Sequence, residues 1–290
     1  MHIAYEERKF SNSSLLIISQ ADDIIKEYEA QGFTLTLRQL YYQFVARDLI
    51  PNTVQSYKRV GSIINDARMA GMISWEAIED RTRNLKSLST WVSPSNIIRS
   101  AAYWYRIDKW QYQTYRPEVW IEKEALVGVI AGVCEELQVP YFACRGYNSQ
   151  SEQWAAGRRM LDYSNGDQTP IIFHFGDHDP SGIDMTRDNT DRLEIFAEQP
   201  IIVERLALNS DQVRKYNPPP NPAKATDSRY ESYRDIYGEM SWELDALEPR
   251  VIVDLVRKAI LGVRSETAWT EAIREEEKGR KELQAIADGM

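Results

Sequence analysis

The sequence predicts a mixed α/β protein in which a helical N-terminal part precedes a parallel sheet. Apolar residues recur at helical spacing up to about residue 112, whereas short apolar runs alternate with helical segments from Pro117 onward. Such alternation is typical of parallel strands joined by crossover helices. With 290 residues, the chain is long enough for two domains and a terminal extension.

The first two predicted helices cover residues 11–31 and a segment from Thr36 to about Asp48. The first helix ends before Gly32, a residue type that often terminates helices. At the start of the second helix, Thr36 and Gln39 have the spacing of a capping box, in which two side chains satisfy free backbone amides reciprocally.

A third helix is predicted over residues 53–70 and a fourth over residues 95–112. Between them, residues 73–92 are prone to form β-structure. Short helices followed by such a stretch match a helix-turn-helix with a wing, in which the third helix enters a groove of DNA.

From Pro117 the sequence predicts four strands separated by helices, then a Pro-rich loop over residues 217–229 and two C-terminal helices. The predicted strands are the apolar runs PEVWI, VPYFAC, IIFHF and PIIVERLAL. In an open sheet of this kind, ligands bind at the carboxyl ends of the strands. We therefore expect the functional site at that edge.

The charge is unevenly distributed along the chain. The net charge is −9, but residues 36–116 carry twelve Lys/Arg and six Asp/Glu and are therefore basic. A basic segment can supply a phosphate-binding face, although a fluctuation in surface charge explains the pattern equally well. The candidate phosphate contacts, each of which could equally be a solvated surface charge, are Lys58, Arg59, Arg68, Arg81 and Arg83.

The composition argues against membrane and secreted proteins. The longest apolar stretch, residues 125–134, is about half as long as a membrane span requires, and the N-terminus lacks the features of a signal peptide. Two cysteines are too few for a disulfide framework or a zinc cage. The sequence therefore predicts a cytoplasmic protein with no membrane partner.

Three carboxylates are the candidate metal ligands. Asp177 and Asp179 follow the run IIFHF, and Glu122 follows PEVWI directly. Residues two apart in an extended backbone point to one side, so the three acids should converge at the sheet edge. Two carboxylates about 4 Å apart repel by roughly 4 kcal/mol near a protein surface, so a proton or a hard cation is expected among them. Oxygen ligands favour Mg²⁺, for which Mn²⁺ can substitute.

Two other interpretations of this segment remain open. Alone, an Asp-x-Asp pair is more often a turn with a helix-capping aspartate than a metal site. His174 and His178 could instead mark a transition-metal site, but histidines on a strand more often pack or support neighbouring groups.

Several segments resemble one known family. VWIEKEAL (119–126) and GDHDPSGIDM (176–185) resemble the glutamate strand and the Asp-x-Asp motif of the Toprim domain. The Asp-x-Asp-Pro-x-Gly form is that of the topoisomerase VI A subunit and the related meiotic double-strand-break proteins. ACRGYNSQS (143–151) and WELDALEP (242–249) are similar to the family's glycine loop and its C-terminal segment. The resemblance covers most of the chain from Thr36 to about Ile260.

The resemblance implies a winged-helix domain followed by a Toprim domain with a Rossmann-like parallel sheet. The implied segments are an N-terminal helix over 1–35, a CAP-like winged-helix DNA-binding domain over 36–115, a Toprim metal-binding domain over 116–216, and a loop with a C-terminal helical extension over 217–290.

TLRQLYYQF (36–44) is similar to the Thr-x-Arg-x-x-Tyr-Tyr segment of the same family, whose nucleophilic tyrosine corresponds to Tyr42. Arg38 and Tyr42 are four residues apart on one predicted helix, so their side chains should be neighbours. A phenol with a pKa near 10 is a poor nucleophile, and the Arg38 guanidinium is expected to favour the phenolate and to hold the phosphate. Tyr41 is expected to pack into the core. From the helix alone, Tyr42 would also be a core or boundary residue.

The family resemblance implies Mg²⁺-dependent cleavage of double-stranded DNA by transesterification, with Tyr42, Arg38 and Glu122 as catalytic residues. Tyr42 would attack a backbone phosphorus, release a 3′-hydroxyl and form a 5′-phosphotyrosine. The resemblance also implies a homodimer in which the tyrosine of one subunit faces the metal site of the other. Because the sequence has no GxxxxGK[ST] loop, ATP-driven strand passage would need a separate ATPase subunit.

Two further functional hypotheses remain open. The chain could be a hydrolytic Toprim nuclease, in which the metal activates water and Tyr42 is only structural. It could also be a DNA-binding dimer without catalytic activity. A covalent protein–DNA adduct would distinguish the transesterase from both.

Overall fold

The structure is a computed structural model that describes residues 1–79 and 88–290. It confirms the mixed α/β class: a bundle of N-terminal helices packs beside a parallel sheet that has helices on both faces. The helices are α1 (Asn12–Glu29), α2 (Leu37–Ala46), α3 (Val54–Met69), α4 (Pro94–Trp104), α5 (Val127–Glu136), α6 (Gln150–Asn165), α7 (Pro180–Ala197), α8 (Ser210–Tyr216), α9 (Tyr230–Tyr237), α10 (Pro249–Val263) and α11 (Glu266–Asp288). The strands are β1 (Tyr115–Ile121), β2 (Tyr141–Ala143), β3 (Thr169–Phe175), β4 (Ile202–Ala207), β5 (Asn221–Pro222) and β6 (Met240–Ser241).

Helices α1 to α3 have the predicted positions and share one apolar core. The expected capping box begins α2, since the Thr36 hydroxyl accepts from the Gln39 amide and the Gln39 side chain accepts from the Thr36 amide. Ile24, Leu40 and Ile64, one from each helix, are almost completely buried together. The N-terminal helix thus packs into the same core as α2 and α3.

A strand-forming wing is not found in the described part of residues 73–92. Residues 73–79 and 88–92 contain no strand, and Ile78 forms only an isolated bridge with Leu35. Ile73 and Ile78 are buried against the helices, so these β-prone side chains serve the helical core. Residues 80–87, and with them the candidates Arg81 and Arg83, lie outside the described residues.

Helix α4 is shorter than predicted and packs against the C-terminal helix. It ends at Trp104 instead of near residue 112, because the chain then turns and places Trp110 in the core, where its Nε1 donates to the Leu137 carbonyl at 2.8 Å. Ser95 near the start of α4 donates to the Ala287 carbonyl of α11 at 3.0 Å. Helix α4 and the C-terminal helix α11 therefore pack as a pair.

Four strands form the parallel sheet in the order β2-β1-β3-β4. Strands β1 and β3 pair along their whole length, with Ile121 opposite Phe175. Helices α5 and α10 cover one face of the sheet, and α6 and α7 cover the other. Because both faces are buried, the strands have the continuous apolar composition that allowed their prediction.

Residues 217–229 form a loop, as predicted, except for β5, which pairs with β6 in a small antiparallel ribbon. Helices α8 and α9 lie on either side of this loop. Residues 244–246 form a 3₁₀ turn before α10 begins, so the WELDALE segment is mostly not helical. Within the described ranges, no helix combines the length and apolar character needed to cross a bilayer.

The crossing of α6 and α7 depends on a glycine. A Cβ at Gly157 would lie 2.4 Å from the Cβ of Phe196, whereas a Cβ at Gly132 of α5 would meet no atom within 4 Å. We expect Gly157→Ala to lower the free energy of unfolding by about 1–3 kcal/mol through overpacking. The control, Gly132→Ala, should raise it by about 0.5–1 kcal/mol through helix propensity. Urea unfolding followed by circular dichroism checks both, and equal stability of the two variants would contradict the close packing.

Candidate functional site

Glu122 and Asp177 meet at the carboxyl edge of the sheet, as their positions in the sequence predict. Strands β1 and β3 are neighbours and end together, so the residues that follow them are adjacent. The Glu122 carboxylate accepts a hydrogen bond from the Asp177 amide at 2.8 Å, and the Glu122 amide donates to the Phe175 carbonyl at 2.8 Å. The loop after β3 is therefore tied to the end of β1.

The loop from Gly176 to Gly182 is held in a tight conformation. Asp179 caps α7, accepting from the Gly182 amide at 2.6 Å, so this residue has the structural role that an isolated Asp-x-Asp pair suggests. A Cβ on Gly182 would lie only 2.2 Å from the Asp177 carbonyl oxygen. The Asp177 carboxylate accepts from the Leu244 amide at 2.7 Å, which ties the loop to the segment before α10.

Arg205 on β4 holds this loop in place through hydrogen bonds, a role that the sequence does not indicate. Its guanidinium donates to the carbonyls of Gly176 at 2.9 Å, Asp177 at 2.6 Å and Gly182 at 2.8 Å. Burial lowers the pKa of Arg205 to about 10, although the nearby acids oppose this effect. The sequence offers only a lone arginine within an apolar run, a weak signal.

The three candidate metal ligands interact electrostatically. Burial raises the pKa of Asp177 to about 7, with Lys123 opposing the rise and Glu122 adding to it. The pKa of Glu122 is also raised, first by burial and in part by Asp179. Burial is the main cause of both shifts, and repulsion from a neighbouring acid adds to it. In the part of the chain that the structure describes, no three Asp, Glu, His or Cys side chains are grouped so that they could hold a metal ion.

A lysine occupies the centre of the acidic region. Lys123 Nζ lies 3.0 Å from Asp177 Oδ2, 2.7 Å from Glu243 Oε2 and 3.0 Å from Asp245 Oδ1. Arg38 of α2 binds two of the same carboxylates, with its Nε 2.6 Å from Asp245 Oδ2 and its Nη2 on Glu243. We call Arg38, Lys123, Asp177, Glu243 and Asp245 the junction cluster, because they join the N-terminal helices to the sheet.

Tyr42 lies next to the junction cluster, and its hydroxyl is not activated there. The guanidinium of Arg38 is 5.7 Å from the centre of the Tyr42 ring, so the predicted proximity is confirmed. However, burial raises the pKa of Tyr42, and Asp245 and Glu243 add to this, outweighing Arg38 and Lys123. Arg38 therefore acts on the phenol in the expected direction, but burial and the two carboxylates, which also pair with its guanidinium, outweigh its effect.

The neighbouring tyrosine has the structural role that was expected. Tyr41 is 4% exposed, and its hydroxyl donates to Asn52 Oδ1 at 3.0 Å and to the Thr53 carbonyl at 3.1 Å. Tyr42 is also buried, at 5% exposure. The two residues differ in the direction of their hydroxyls. The Tyr41 hydroxyl meets Asn52 and the Thr53 carbonyl, whereas the Tyr42 hydroxyl lies among charged side chains.

Two cavities flank the junction cluster. One, of about 430 Å³, is lined by Tyr42, Asp177 and Asp179 together with Glu243. The other, of about 350 Å³, is lined by Glu122, Lys123 and Asp245. Arg38 lines both cavities. The nucleophile candidate thus shares a cavity with the Asp-x-Asp pair, while Glu122 lines the other cavity.

The candidate phosphate contacts on α3 have different surroundings. Lys58 and Arg59 are exposed. Arg68 is turned inward, because its guanidinium donates to the Trp75 carbonyl at 2.9 Å and lies 4.7 Å from the Trp75 ring centre. Of these three cations, Lys58 and Arg59 are therefore available to a ligand in this structure.

Comparison with known proteins adds no family to this description. No family model matches the chain, and no curated protein is significantly similar to it. Any functional conclusion therefore depends on the geometry of the site and on the motifs in the sequence.

The two histidines beside the Asp-x-Asp pair are held by protein partners. His174 is fully buried, and its Nδ1 is 2.8 Å from the Thr186 hydroxyl. His178 is hydrogen-bonded to the Tyr233 hydroxyl at 2.7 Å and to the Ser210 hydroxyl at 2.9 Å. Burial lowers the pKa of His174 to about 3, with Arg205 contributing, so its imidazole is neutral. Packing and these hydrogen bonds hold both side chains, and Nε2 of His174 is buried without a hydrogen-bond partner.

The buried neutral state of His174 predicts a loss of stability in acid. Its pKa is depressed in the folded chain, so below the ordinary value of 6.5 the unfolded state binds a proton that the folded state does not. The free energy of unfolding should therefore fall by about 2 kcal/mol between pH 8 and pH 5 through this group. His174→Gln should remove that part of the slope in denaturant titrations, whereas His2→Gln at the exposed N-terminus should not. An unchanged slope in His174→Gln would contradict this assignment.

Proposed function

We propose that this chain cleaves double-stranded DNA by Mg²⁺-dependent tyrosine transesterification, in the manner of the topoisomerase VI A subunit. The observation that carries the proposal is that Tyr42, Asp177 and Asp179 line one cavity at the sheet edge. The motifs around them also resemble those of that family. Under this proposal the N-terminal helices belong to a winged-helix domain and the parallel sheet to a Toprim domain.

Tyr42 is the proposed nucleophile. Its hydroxyl oxygen forms a bond to a backbone phosphorus, and the bond from that phosphorus to the 3′ oxygen breaks. The tyrosine loses its proton, and the leaving 3′ oxygen gains one. Arg38, four residues earlier on α2, orients the phosphate through its guanidinium. The 5′-phosphotyrosine keeps the phosphodiester bond energy, so the reverse reaction can rejoin the strand.

Glu122, Asp177 and Asp179 are the proposed Mg²⁺ ligands. Their chemistry fits a hard cation, because all three offer oxygen and burial, with repulsion from a neighbouring acid, raises the pKa of Asp177 and of Glu122. When bound, Mg²⁺ or Mn²⁺ would neutralise charge on the phosphate and on the leaving oxygen. Arg205 supports the ligand set by holding the carbonyls of the Asp177 loop.

A homodimer is part of the proposal, since cutting both strands needs two tyrosines. Within one chain, Tyr42 already lies beside its own Asp-x-Asp loop. A separate ATPase subunit would be required for strand passage, and the proposed compartment is the cytoplasm. Lys58 and Arg59 of α3 are the proposed outer phosphate contacts, being exposed cations on the same helical unit.

The hydrolytic nuclease is the second candidate, and one observation favours it. Burial and two carboxylates raise the pKa of Tyr42, so its hydroxyl retains its proton in this arrangement. If that arrangement persisted on DNA, water and not Tyr42 would be the nucleophile. The two candidates differ in whether a covalent intermediate forms.

A covalent protein–DNA adduct should form with the unsubstituted protein and not with the Tyr42→Phe variant. Supercoiled plasmid is incubated with protein and Mg²⁺, the protein is denatured, and electrophoresis detects DNA that carries bound protein. We expect Tyr42→Phe to lower adduct formation by at least about 10³-fold, because the attacking oxygen is removed. The matched control, Tyr41→Phe, should still form it. Cleavage without an adduct, retained in Tyr42→Phe, would establish the nuclease instead.

The carboxylates should be required for either reaction. Asp177→Ala should lower strand cleavage by at least about 10²-fold, since it removes a proposed metal ligand. Plasmid cleavage in Mg²⁺, with chelator as the blank, measures this. If Asp177→Ala left every DNA transaction unchanged, the non-catalytic DNA-binding dimer would be the remaining hypothesis.

A further inference from the structure

Two cations converge on two carboxylates inside the junction cluster. Lys123 and Arg38 each contact both Glu243 and Asp245, and three of these four contacts are between 2.6 and 3.0 Å long. The fourth joins Arg38 to the Glu243 carboxylate. The four side chains therefore form an arrangement of two positive and two negative groups. Asp177 adds a third carboxylate on the Lys123 side.

An ammonium and a guanidinium directed at the same oxygens are a common way to bind phosphate. A guanidinium presents paired donors that match two phosphate oxygens, and an ammonium adds a compact positive charge. Here the oxygens belong to the segment before α10. A carboxylate and a phosphodiester each carry one negative charge and two free oxygens, so one can replace the other without changing the net charge of the cluster.

The carboxylate of Glu243 occupies the place beside Tyr42. Burial would raise the pKa of Glu243, but Lys123, Arg38 and a hydrogen bond from Tyr42 lower it to about 2. Glu243 is thus an anion in contact with both cations and with the candidate nucleophile. A phosphorus that Tyr42 attacks has to lie in this same position.

The exposure of the two carboxylates distinguishes their roles. The Glu243 side chain is 29% exposed and lines the cavity of about 430 Å³, whereas the Asp245 side chain is 1% exposed. Glu243 can leave toward this cavity, whereas the Asp245 carboxylate is buried between Arg38 and Lys123. Asp245 therefore remains to orient Arg38 and Lys123 when Glu243 is displaced.

We propose that Arg38 and Lys123 form the binding site for the DNA phosphate that Tyr42 attacks, and that the Glu243 carboxylate occupies this site in the DNA-free chain. This inference rests on the proposed function, which it extends by adding Lys123 as a phosphate-binding residue and Glu243 as an internal competitor. DNA binding then requires exchange of one anion for another at the two cations. Removing the internal competitor should strengthen binding.

The test measures binding of a short fluorescein-labelled DNA duplex by anisotropy, in chelator so that no metal-dependent cleavage occurs. We expect Glu243→Gln to bind about tenfold more tightly than the original chain, because the competing carboxylate is gone. The control is Glu239→Gln, an exposed glutamate close in sequence that undergoes the same change of charge. It should alter the affinity by less than about twofold, since it acts only through screened long-range attraction.

A double-mutant comparison links the gain to the two cations. Lys123→Gln should weaken binding about tenfold. When Lys123→Gln is already present, adding Glu243→Gln should change log Kd by at most about half as much as it does in the unsubstituted chain. Thermal unfolding of each variant is followed by circular dichroism, and affinities are compared only among variants that are folded. Should Glu243→Gln destabilise the fold, Glu243→Asp, whose shorter side chain keeps the charge but retracts it, should still tighten binding.

The inference and the proposed function fail in different ways. If Glu243→Gln binds no more tightly than Glu239→Gln, or if its gain is undiminished in the Lys123→Gln background, the internal-competitor site is wrong, whatever the cleavage assay shows. If binding changes as expected but no covalent adduct forms with Mg²⁺, the phosphate site stands and the transesterase does not.

Discussion

The ion pairs that Glu243 and Asp245 form with Arg38 on one side and with Lys123 on the other join the N-terminal helices to the sheet. Buried charges must be paired, because leaving one without its partner costs several kcal/mol, typically about 3–5. This applies to Asp245 and Lys123, whose side chains are 1% and 16% exposed, whereas the Arg38 side chain is 45% exposed. Apolar contact at the junction is small, consisting of Tyr41, Tyr42 and Val45 with Ala246. Further polar contacts across the junction are Tyr28 with Glu248 and Asn52 with Asn221.

The same charges set the chemical state of the site. Burial and the carboxylates that pair with Arg38 raise the pKa of Tyr42 by more than the guanidinium lowers it, so the proton remains. An approaching phosphate would change this balance only by replacing a carboxylate. The polar character of the junction makes such an exchange physically reasonable, since water and ions can substitute for its contacts, whereas a dry apolar interface would have to be broken.

The sheet edge shows how much of the site follows from sequence. Glu122 and Asp177 come together because β1 and β3 are adjacent parallel strands that end in register, and two apolar runs each followed by an acid were enough to predict it. Lys123 was visible as a residue next to Glu122, but no local pattern gives its partners. Glu243 and Asp245 lie more than a hundred residues away, and Arg205 appears only as one charge in an apolar strand. Long-range pairings of this kind leave no periodicity to detect.

The sequence alone determined the α/β class, most helix and strand positions and the capping of α2, since these depend on local periodicity and on side chains within a few residues. Tertiary packing competes with local patterns elsewhere: the β-prone Ile73 and Ile78 are buried against the helical core and belong to no strand of the described residues, and α4 stops early so that Trp110 can be buried. Only the tertiary structure decided that Tyr42 faces carboxylates as well as Arg38. The charge state of a buried group depends on everything packed around it, and that neighbourhood is assembled from distant parts of the chain.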